Sequence, residues 1–581
     1  MQEAVGAAGS VAGRPSDKPM VRPPGLIFWL DDIPPLAVTL GLALQTIAIQ
    51  SVYFVLPAAV AGMFTNDPTE ATRFLCLSIL ASVILQVLQL LPRGPIGSGY
   101  PLPATHSAAM LSAYGLTASA GGGFAAAGAM VLIAGVTCIF LTAGMRRLRV
   151  LLPNEVAGVV VLLIGVALVI LATQRLGWQP GGTPADAPAV AVLAVSIVVM
   201  VACALSGTQV APFSVLFGAL CGIALAVALG EGIPNAGTVI AESPWLALPR
   251  PWLPRFDQVT IAPTLAFVIS LVAIQATTFG SLIVVQRAAD AGWTRPDAAP
   301  LRRGLLANAL GICASGILGG AAPAPATAAV GLAIATGTLA RRLVWAGAAM
   351  LFAVALCPKV LALFVLVPEP VKAAMLFYVA GFVMAQGCQL ITARLLDTRR
   401  TLIVAFGLSA GLAVAVAPQI FMADAPVIAS PLSFGALVAF LVNLVTLPLV
   451  ARRARAMIPV NARDSRELAE WFAAVGGSWG LKAQTVHAGE IALIEIMGLL
   501  AERGVPEMAL AAQRAEDRVE VTVRWAGPRF PNPSARPHFE DLLGSDTARE
   551  AFALWMATRQ AQGFSQRDVA GCTEARLILE D

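Results

Sequence analysis

The stretch GSGYPLPATHSAAMLSAYGLTAS, residues 97–119, opens on glycines and prolines and then continues as an apolar run. A second stretch, GGAAPAPATAAVGLAIATG at 319–337, has the same texture. The runs expected to be helical, 104–119 and 324–337, are shorter than the roughly 20 residues a membrane helix needs. Twelve further apolar runs bounded by Pro, Gly or charge lie at 34–62, 71–92, 123–145, 152–172, 187–205, 211–229, 260–286, 304–318, 343–366, 370–393, 400–418 and 431–451. The reading is an all-α polytopic membrane protein of about fourteen spans. Its two short, broken members stand third and tenth, the same place in each half. Seven spans per half invert the second half against the first, giving a 7+7 inverted repeat. Short Gly/Pro-interrupted segments at matching places in inverted halves point to a transport site. Non-helical backbone at that depth survives only inside protein or beside a cavity.

Composition agrees. Of 581 residues, 57% are hydrophobic and 12% charged, and the mean hydropathy is +0.78. A soluble globular chain carries about 25% charged residues, which argues against a wholly soluble enzyme. The charge is uneven: residues 456–581 hold 31 of the 72 charged side chains. Three parts follow: an N-terminal segment 1–33, a transmembrane domain 34–455 and a small α/β domain 456–581. The first 25 residues contain no apolar signal-peptide core, so the first span is expected to target the chain. The eight cysteines show neither metal nor disulfide spacing and read as small buried hydrophobes. No basic cluster suggests nucleic acid. No metal cluster, nucleophile–base pair or cofactor motif suggests an enzyme.

Orientation follows from Lys/Arg placement. With the N-terminus inside, loops on that side carry Arg93, Arg146, Arg147, Arg149, Arg287, Arg295, Arg302, Arg303, Arg341, Arg342, Arg394, Arg399 and Arg400, then Arg452, Arg453 and Arg455. The other side carries Arg175, Arg250, Arg255, Lys359 and Lys372. The bias is about three to one and puts both termini in the cytoplasm, with the chain in the inner membrane.

Four stretches resemble the nucleobase–ascorbate transporter family, the uracil/xanthine permeases: Leu44-Gln45-Thr46-Ile47-Ala48 in the first run, RRLRVLLPNEVAGVVVLLIGVAL at 146–168, LRRGLLANALGICASGILGGAAP at 301–323, and CPKVLALFVLVPEPV at 357–371. They occur in family order, and the resemblance covers about 34–451. It implies a core domain of spans 1–4 and 8–11 and a gate domain of spans 5–7 and 12–14. Short extended strands would precede the two short helices and meet near the midplane, with substrate between them and span 8. It further implies a nucleobase-like small-molecule substrate, a proton or sodium ion as coupling partner, and a homodimer in the lipid bilayer.

Site residues follow from the same resemblance. Aligning on Gly280 puts Thr277 where span 8 of the family carries a carboxylate, and Ser281 where some members carry His. The start of the tenth span offers Ala324, Ala326, Thr327 and Ala328, with no acid. The polar candidates are Gln45 and Gln50 on the first span, Thr105, His106 and Ser107 at the third, Gln275, Thr277, Thr278 and Ser281 on the eighth, and Thr327. Hydroxyls and amides pair with carbonyls and ring N–H groups of a base. Short-helix N-termini add positive dipole ends. Against each candidate stands an ordinary role, since a membrane Ser or Thr commonly bonds its own helix. Lys359 reads as a snorkelling interfacial residue and Glu155 as structural. Every acid between residues 71 and 455 falls in a loop or at a span end, which argues against the family's usual proton relay.

Residues 462–581 resemble the histidine-kinase-like ATPase fold of anti-sigma kinases in the order of a helix at 487–504 and strands at 518–530 and 574–580. Glu495 matches that family's Glu. Leu499 stands in the Asn position, and Trp525-Ala526 stand where acids are expected, so nucleotide binding is expected to be lost. The tail then reads as a regulatory or interaction domain. Two other readings stay open: a carrier of the same fold moving a small organic or inorganic anion, and a non-transporting substrate sensor.

Overall fold

The computed structural model describes residues 20–143, 154–178, 185–207, 210–233, 236–291, 297–392, 396–417, 431–446, 453–461, 465–514, 518–530 and most of 550–580. Arg146, Arg147, Arg149, Arg295, Arg394 and Arg452 lie outside the described residues. The chain divides into two compact units. The first holds 1–150, 160–387 and 409–436; the second holds 151–159, 388–408 and 437–581.

The helices of the first half are α1 (Leu36–Val52), α2 (Val55–Phe64), α3 (Pro68–Leu90), α4 (Leu111–Ser119), α5 (Phe124–Ala143), α6 (Asn154–Arg175), α7 (Ala187–Leu205) and α8 (Ser214–Leu229). A short α9 (Ala236–Glu242) follows. The second half has α10 (Ile261–Ala289), α11 (Ala298–Leu318), α12 (Thr327–Ala335), α13 (Arg341–Ala355), α14 (Pro358–Val365), α15 (Glu369–Thr392), α16 (Thr398–Val416) and α17 (Pro431–Thr446). Among the described residues seven helical segments are long and apolar enough to cross a membrane, or eight if one bent pair counts as a span. The run at 343–366, expected as one helix, is that pair: α13 and α14 meet at 83°. Pro358 is the first residue of α14, and proline can donate no N–H to continue the preceding helix.

Local signals set the ends. Asp67 caps α3 by accepting from the Thr69 N–H at 2.9 Å, with Pro68 at the first position. Asp297 caps α11 in the same way, at 3.1 Å from Ala299 N. Gly319 ends α11 with φ +76°, a conformation glycine adopts without a Cβ penalty.

In the first unit α11 packs on α5 and α3, and small residues let the backbones approach. A Cβ on Gly316 would lie 2.7 Å from the Leu132 N and 2.8 Å from the Gly128 O. Both are helix backbone, and neither can yield cheaply. Gly316→Val should therefore lower stability by about 1–3 kcal/mol, read as a drop in melting temperature in detergent.

The second unit contains a five-stranded antiparallel sheet in the order β3-β4-β5-β7-β6. Its strands are β3 (Arg453–Pro459), β4 (Glu507–Arg514), β5 (Arg518–Ala526), β6 (Gly563–Val569) and β7 (Cys572–Glu580). Helices α18 (Arg466–Trp479) and α19 (Ala483–Glu502) share its core, with Phe472, Trp479, Leu493, Leu500, Val521 and Leu577 fully buried. Leu499 and Trp525 belong to this core, whereas Glu495 is exposed. Where the ATPase fold would place polar nucleotide contacts, this tail has packed apolar side chains.

On the sheet's other face Glu574 accepts from Arg524 at 2.7 Å and pairs with Arg567. The Arg524 hydrogen bond holds its carboxyl below the usual carboxylate range; burial opposes this and Arg567 reinforces it. A depressed folded value means the pairing stabilises fully above the unfolded pKa of about 4.3 and fades as pH falls through the folded one. Hydrogen exchange of β5 and β7, corrected for intrinsic pH dependence, should show protection falling below about pH 4. Glu574→Gln should flatten that dependence.

Candidate substrate site

Residues Ala104–His106 form an extended strand, β1, and Pro323–Pro325 form another, β2. They pair antiparallel, with Ala104 opposite Pro325, Thr105 opposite Ala324 and His106 opposite Pro323. Proline explains why these segments are not helical. Pro101, Pro103, Pro323 and Pro325 fix their own φ, lack a donor and push the preceding residue toward extended backbone. The pair is extended at both ends: Ala326 N donates to Pro103 O at 2.8 Å, and Ser107 N to Ala322 O at 3.3 Å.

A helix start follows each strand. Ser107 caps a 3-10 turn over Ala108–Met110, its hydroxyl accepting from Ala109 N at 3.2 Å, and α4 continues from there. Ala326 stands in the cap position of α12 and offers no side-chain cap. The first N–H groups of α12 therefore keep their positive end uncapped by a side chain.

One face of α3 holds both strands. Ser78, Ser82, Gln86 and Gln89 recur every three or four residues and are the polar residues of that helix after Arg73. Ser78 Oγ accepts from Ala321 N at 2.8 Å. Ser82 Oγ lies 3.3 Å from His106 Nε2. Gln86 Oε1 accepts from Ala104 N at 3.1 Å and from Gln50 Nε2 at 3.0 Å, while Gln86 Nε2 donates to Val344 O at 2.8 Å. Gln50 Nε2 also donates to Ala104 O. The two amides thus grip both polar groups of one strand residue and tie α1, α3, β1 and α13 together. Sequence reading named Gln50 but passed over Gln86; the polar stripe on the second run was the available signal. Gly320 lies against the same helix, where a Cβ would sit 2.7 Å from Ser78 N.

The expected site residues divide into those the strands organise and those already bonded elsewhere. His106 is buried, edge-on to Phe54 with ring centroids 6.0 Å apart. Its Nδ1, Thr105 Oγ1 and Gln50 Oε1 are buried with no hydrogen-bond partner among the described residues. Thr327 Oγ1 accepts from Gln386 Nε2 of α15 at 2.7 Å. On α10, which packs against β2, the 3-10 turn and α12, the hydroxyls bond back to their own helix. Thr277 donates to Ile274 O at 2.9 Å, Thr278 to the same oxygen at 2.7 Å, and Ser281 to Thr277 O at 2.9 Å. Their donors are used, but each oxygen keeps acceptor capacity. Gln275 lies apart in an amide cluster, accepting from Asn308 Nδ2 at 3.0 Å and donating to Leu305 O at 3.2 Å. Gln45, Pro101, Pro103, Ala329 and Thr336 border a cavity of about 20 Å³, room for one water and no base. Lys359 Nζ donates to Ala241 O at 3.1 Å and sits 4.9 Å from the centre of the Trp245 ring. Among the described residues no group of His, Cys, Asp and Glu has the arrangement of a metal site.

The chain is 25% identical over 453 residues to the xanthine permease XanP of Escherichia coli (strain K12), spanning 73% of this chain and 95% of that one. It is 25% identical over 396 residues to the uric acid permease PucJ of Bacillus subtilis (strain 168), spanning 65% and 85%. It is 26% identical over 377 residues to the uracil permease of Escherichia coli (strain K12), spanning 62% and 80%. The profile of the Permease family, that of the xanthine/uracil permeases, matches residues 38–420 and leaves the tail outside. The chain therefore belongs to the xanthine/uracil permease family, the nucleobase–ascorbate transporters, and is a multi-pass membrane permease and not an enzyme.

Proposed function

We propose that this chain carries oxygenated nucleobases of the xanthine, uracil and uric acid type across the cytoplasmic membrane by alternating access. The observation that carries the reading is the β1–β2 pair with a short helix starting from each strand. Such starts present N–H groups to a carbonyl oxygen. Thr277, Ser281, Thr327, Gln45, His106 and Ser107 would line the site, with the Ala326 backbone beside them. Fourteen spans in a 7+7 inverted repeat, a core and a gate domain, cytoplasmic termini and a homodimer complete the proposal by family resemblance.

By the family alignment Thr277 and Ser281 stand at positions where relatives are expected to carry ionisable groups, so a proton relay built on the eighth span is not part of this proposal; His106 is the last residue of β1. The uncapped start of α12 favours a second reading, a small anion as cargo. A melting-temperature screen with xanthine, uracil, urate and inorganic anions separates the two, because a ligand of the folded state raises its stability. Stabilisation by a nucleobase, with uptake into proteoliposomes, supports the first reading. Stabilisation and flux with an anion alone replace it. Within the first reading, Thr277→Val should weaken nucleobase binding about tenfold by removing an acceptor, and Thr277→Ser should not. Equal affinity of Thr277→Val and the parent removes Thr277 from the site.

A further inference from the structure

The second unit joins the tail to the ends of four helices that otherwise belong to the permease domain: residues 151–159 at the start of α6, 388–408 across the end of α15 and the start of α16, and 437 onward at the end of α17. One guanidinium links three of these segments. Arg400 pairs through Nη1 with Glu155, the second residue of α6, and donates through Nη2 to the Trp479 carbonyl at 3.1 Å. The Glu155 side chain is wholly buried and that of Arg400 is 7% exposed. Trp479 is the last residue of α18 and itself a core side chain of the tail. Gly480 follows with φ +60°, and a Cβ there would overlap the guanidinium atoms of Arg400. The tail therefore ends its helix on the one residue type that admits this arginine. Neighbouring bonds fix the arginine's own helix. Asp397 Oδ1 accepts from the Arg400 N–H at 2.8 Å, and Arg399 donates to the Thr446 and Asn443 carbonyls at 3.1 and 3.2 Å.

We propose that the tail domain is a built-in brake on the permease, acting through Arg400. A fork-shaped guanidinium can serve a carboxylate and a carbonyl at once. By supplying the Trp479 carbonyl, the tail holds the first turns of α6 and α16 in one cooperative unit with α18. Under the transport reading above, on which only the uptake arm of the test rests, α6 and α16 belong to the gate domain. A gate fastened to a folded domain moves against an added constraint, and whatever displaces the end of α18 releases it.

The test uses the full chain in nanodiscs and proteoliposomes. Gly480→Ala crowds the guanidinium out of its place on the tail while leaving Glu155 and Arg400 intact. Hydrogen exchange should then rise about tenfold at 476–481 and, together with it, in the first turns of α6 and α16. Arg400→Lys keeps the charge opposite Glu155 but loses the fork; it should give the same coupled rise, and it carries the test if Gly480→Ala does not fold. Initial xanthine or uracil uptake should increase about threefold with KM unchanged. A rise confined to 476–481 overturns the proposal, because the contact is then only a helix cap. Coupled exchange with unchanged or slower uptake overturns the brake. Absence of nucleobase uptake in the parent protein indicts the transport reading instead, and the exchange result, which needs no substrate, still decides the coupling.

Discussion

Arg400→Met should lower the stability of the protein by about 3–5 kcal/mol, because it strands the buried Glu155 carboxylate without its counter-charge. Burying an ion is tolerable only while its partner and hydrogen bonds remain. The loss should appear as a lower midpoint in denaturant titration in micelles. The double variant Glu155→Gln/Arg400→Met should regain most of it, since an uncharged amide costs far less to bury than a carboxylate. A double variant as unstable as the single one would mean that Arg400 contributes through the Trp479 carbonyl and its packing, not through charge. The comparison separates the two halves of the joint, which a single substitution cannot.

Gln86→Leu should have the second large effect, and mainly on substrate binding. The substitution leaves the Ala104 N–H without its Gln86 acceptor and frees one hydrogen bond of the Gln50 amide, while the Val344 carbonyl loses its second donor and keeps its own helix bond. Each unsatisfied buried group costs about 1–3 kcal/mol. The strand that sets the start of α4 then loses its register against α3, and nucleobase affinity should fall about a hundredfold if about 2.7 kcal/mol of positioning is lost. Gln86→Glu is the informative control. Its carboxylate still accepts from Ala104 and Gln50 but cannot donate to Val344, so it should lie between the parent and the Leu variant. Isothermal titration with xanthine reads both. Affinity unchanged in Gln86→Leu would show that the strand needs no support from the amide.

Much of this architecture was legible because bilayers impose simple rules. Runs of apolar residues became helices whose ends follow Pro, Gly and Asp caps, as at Asp67, Asp297 and Gly319. The two Pro-rich segments became strands because proline leaves the chain little else to do. The break between α13 and α14 was missed because hydropathy averages over a proline that alters only hydrogen bonding. Site residues were less legible. Matching Thr277 and Ser281 to family positions could not reveal that their hydroxyls already bond Ile274 and Thr277. Gln86 lies outside the site positions the resemblance implies, although its four-residue spacing from Ser82, and that of Ser82 from Ser78, marks one polar face. The joint at Arg400 was beyond sequence reading altogether. It assembles residues 155, 400 and 479, and no local pattern ties an arginine at a helix start to a carbonyl in another domain.

The pairing of β1 with β2 also bears on biosynthesis. The two strands are separated by about 220 residues of chain, so at roughly 5–20 residues per second the first is made some tens of seconds before its partner exists. During that interval the polar backbone of residues 104–106 is inserted with no strand to bond. Gln50 and Gln86 precede β1 in the chain and emerge before it, and between them they satisfy both the N–H and the carbonyl of Ala104. The amide pair is thus an internal chaperone for an unfinished site. Substitutions there should show first as nascent chains removed by membrane quality control, before any defect in the mature carrier can be measured.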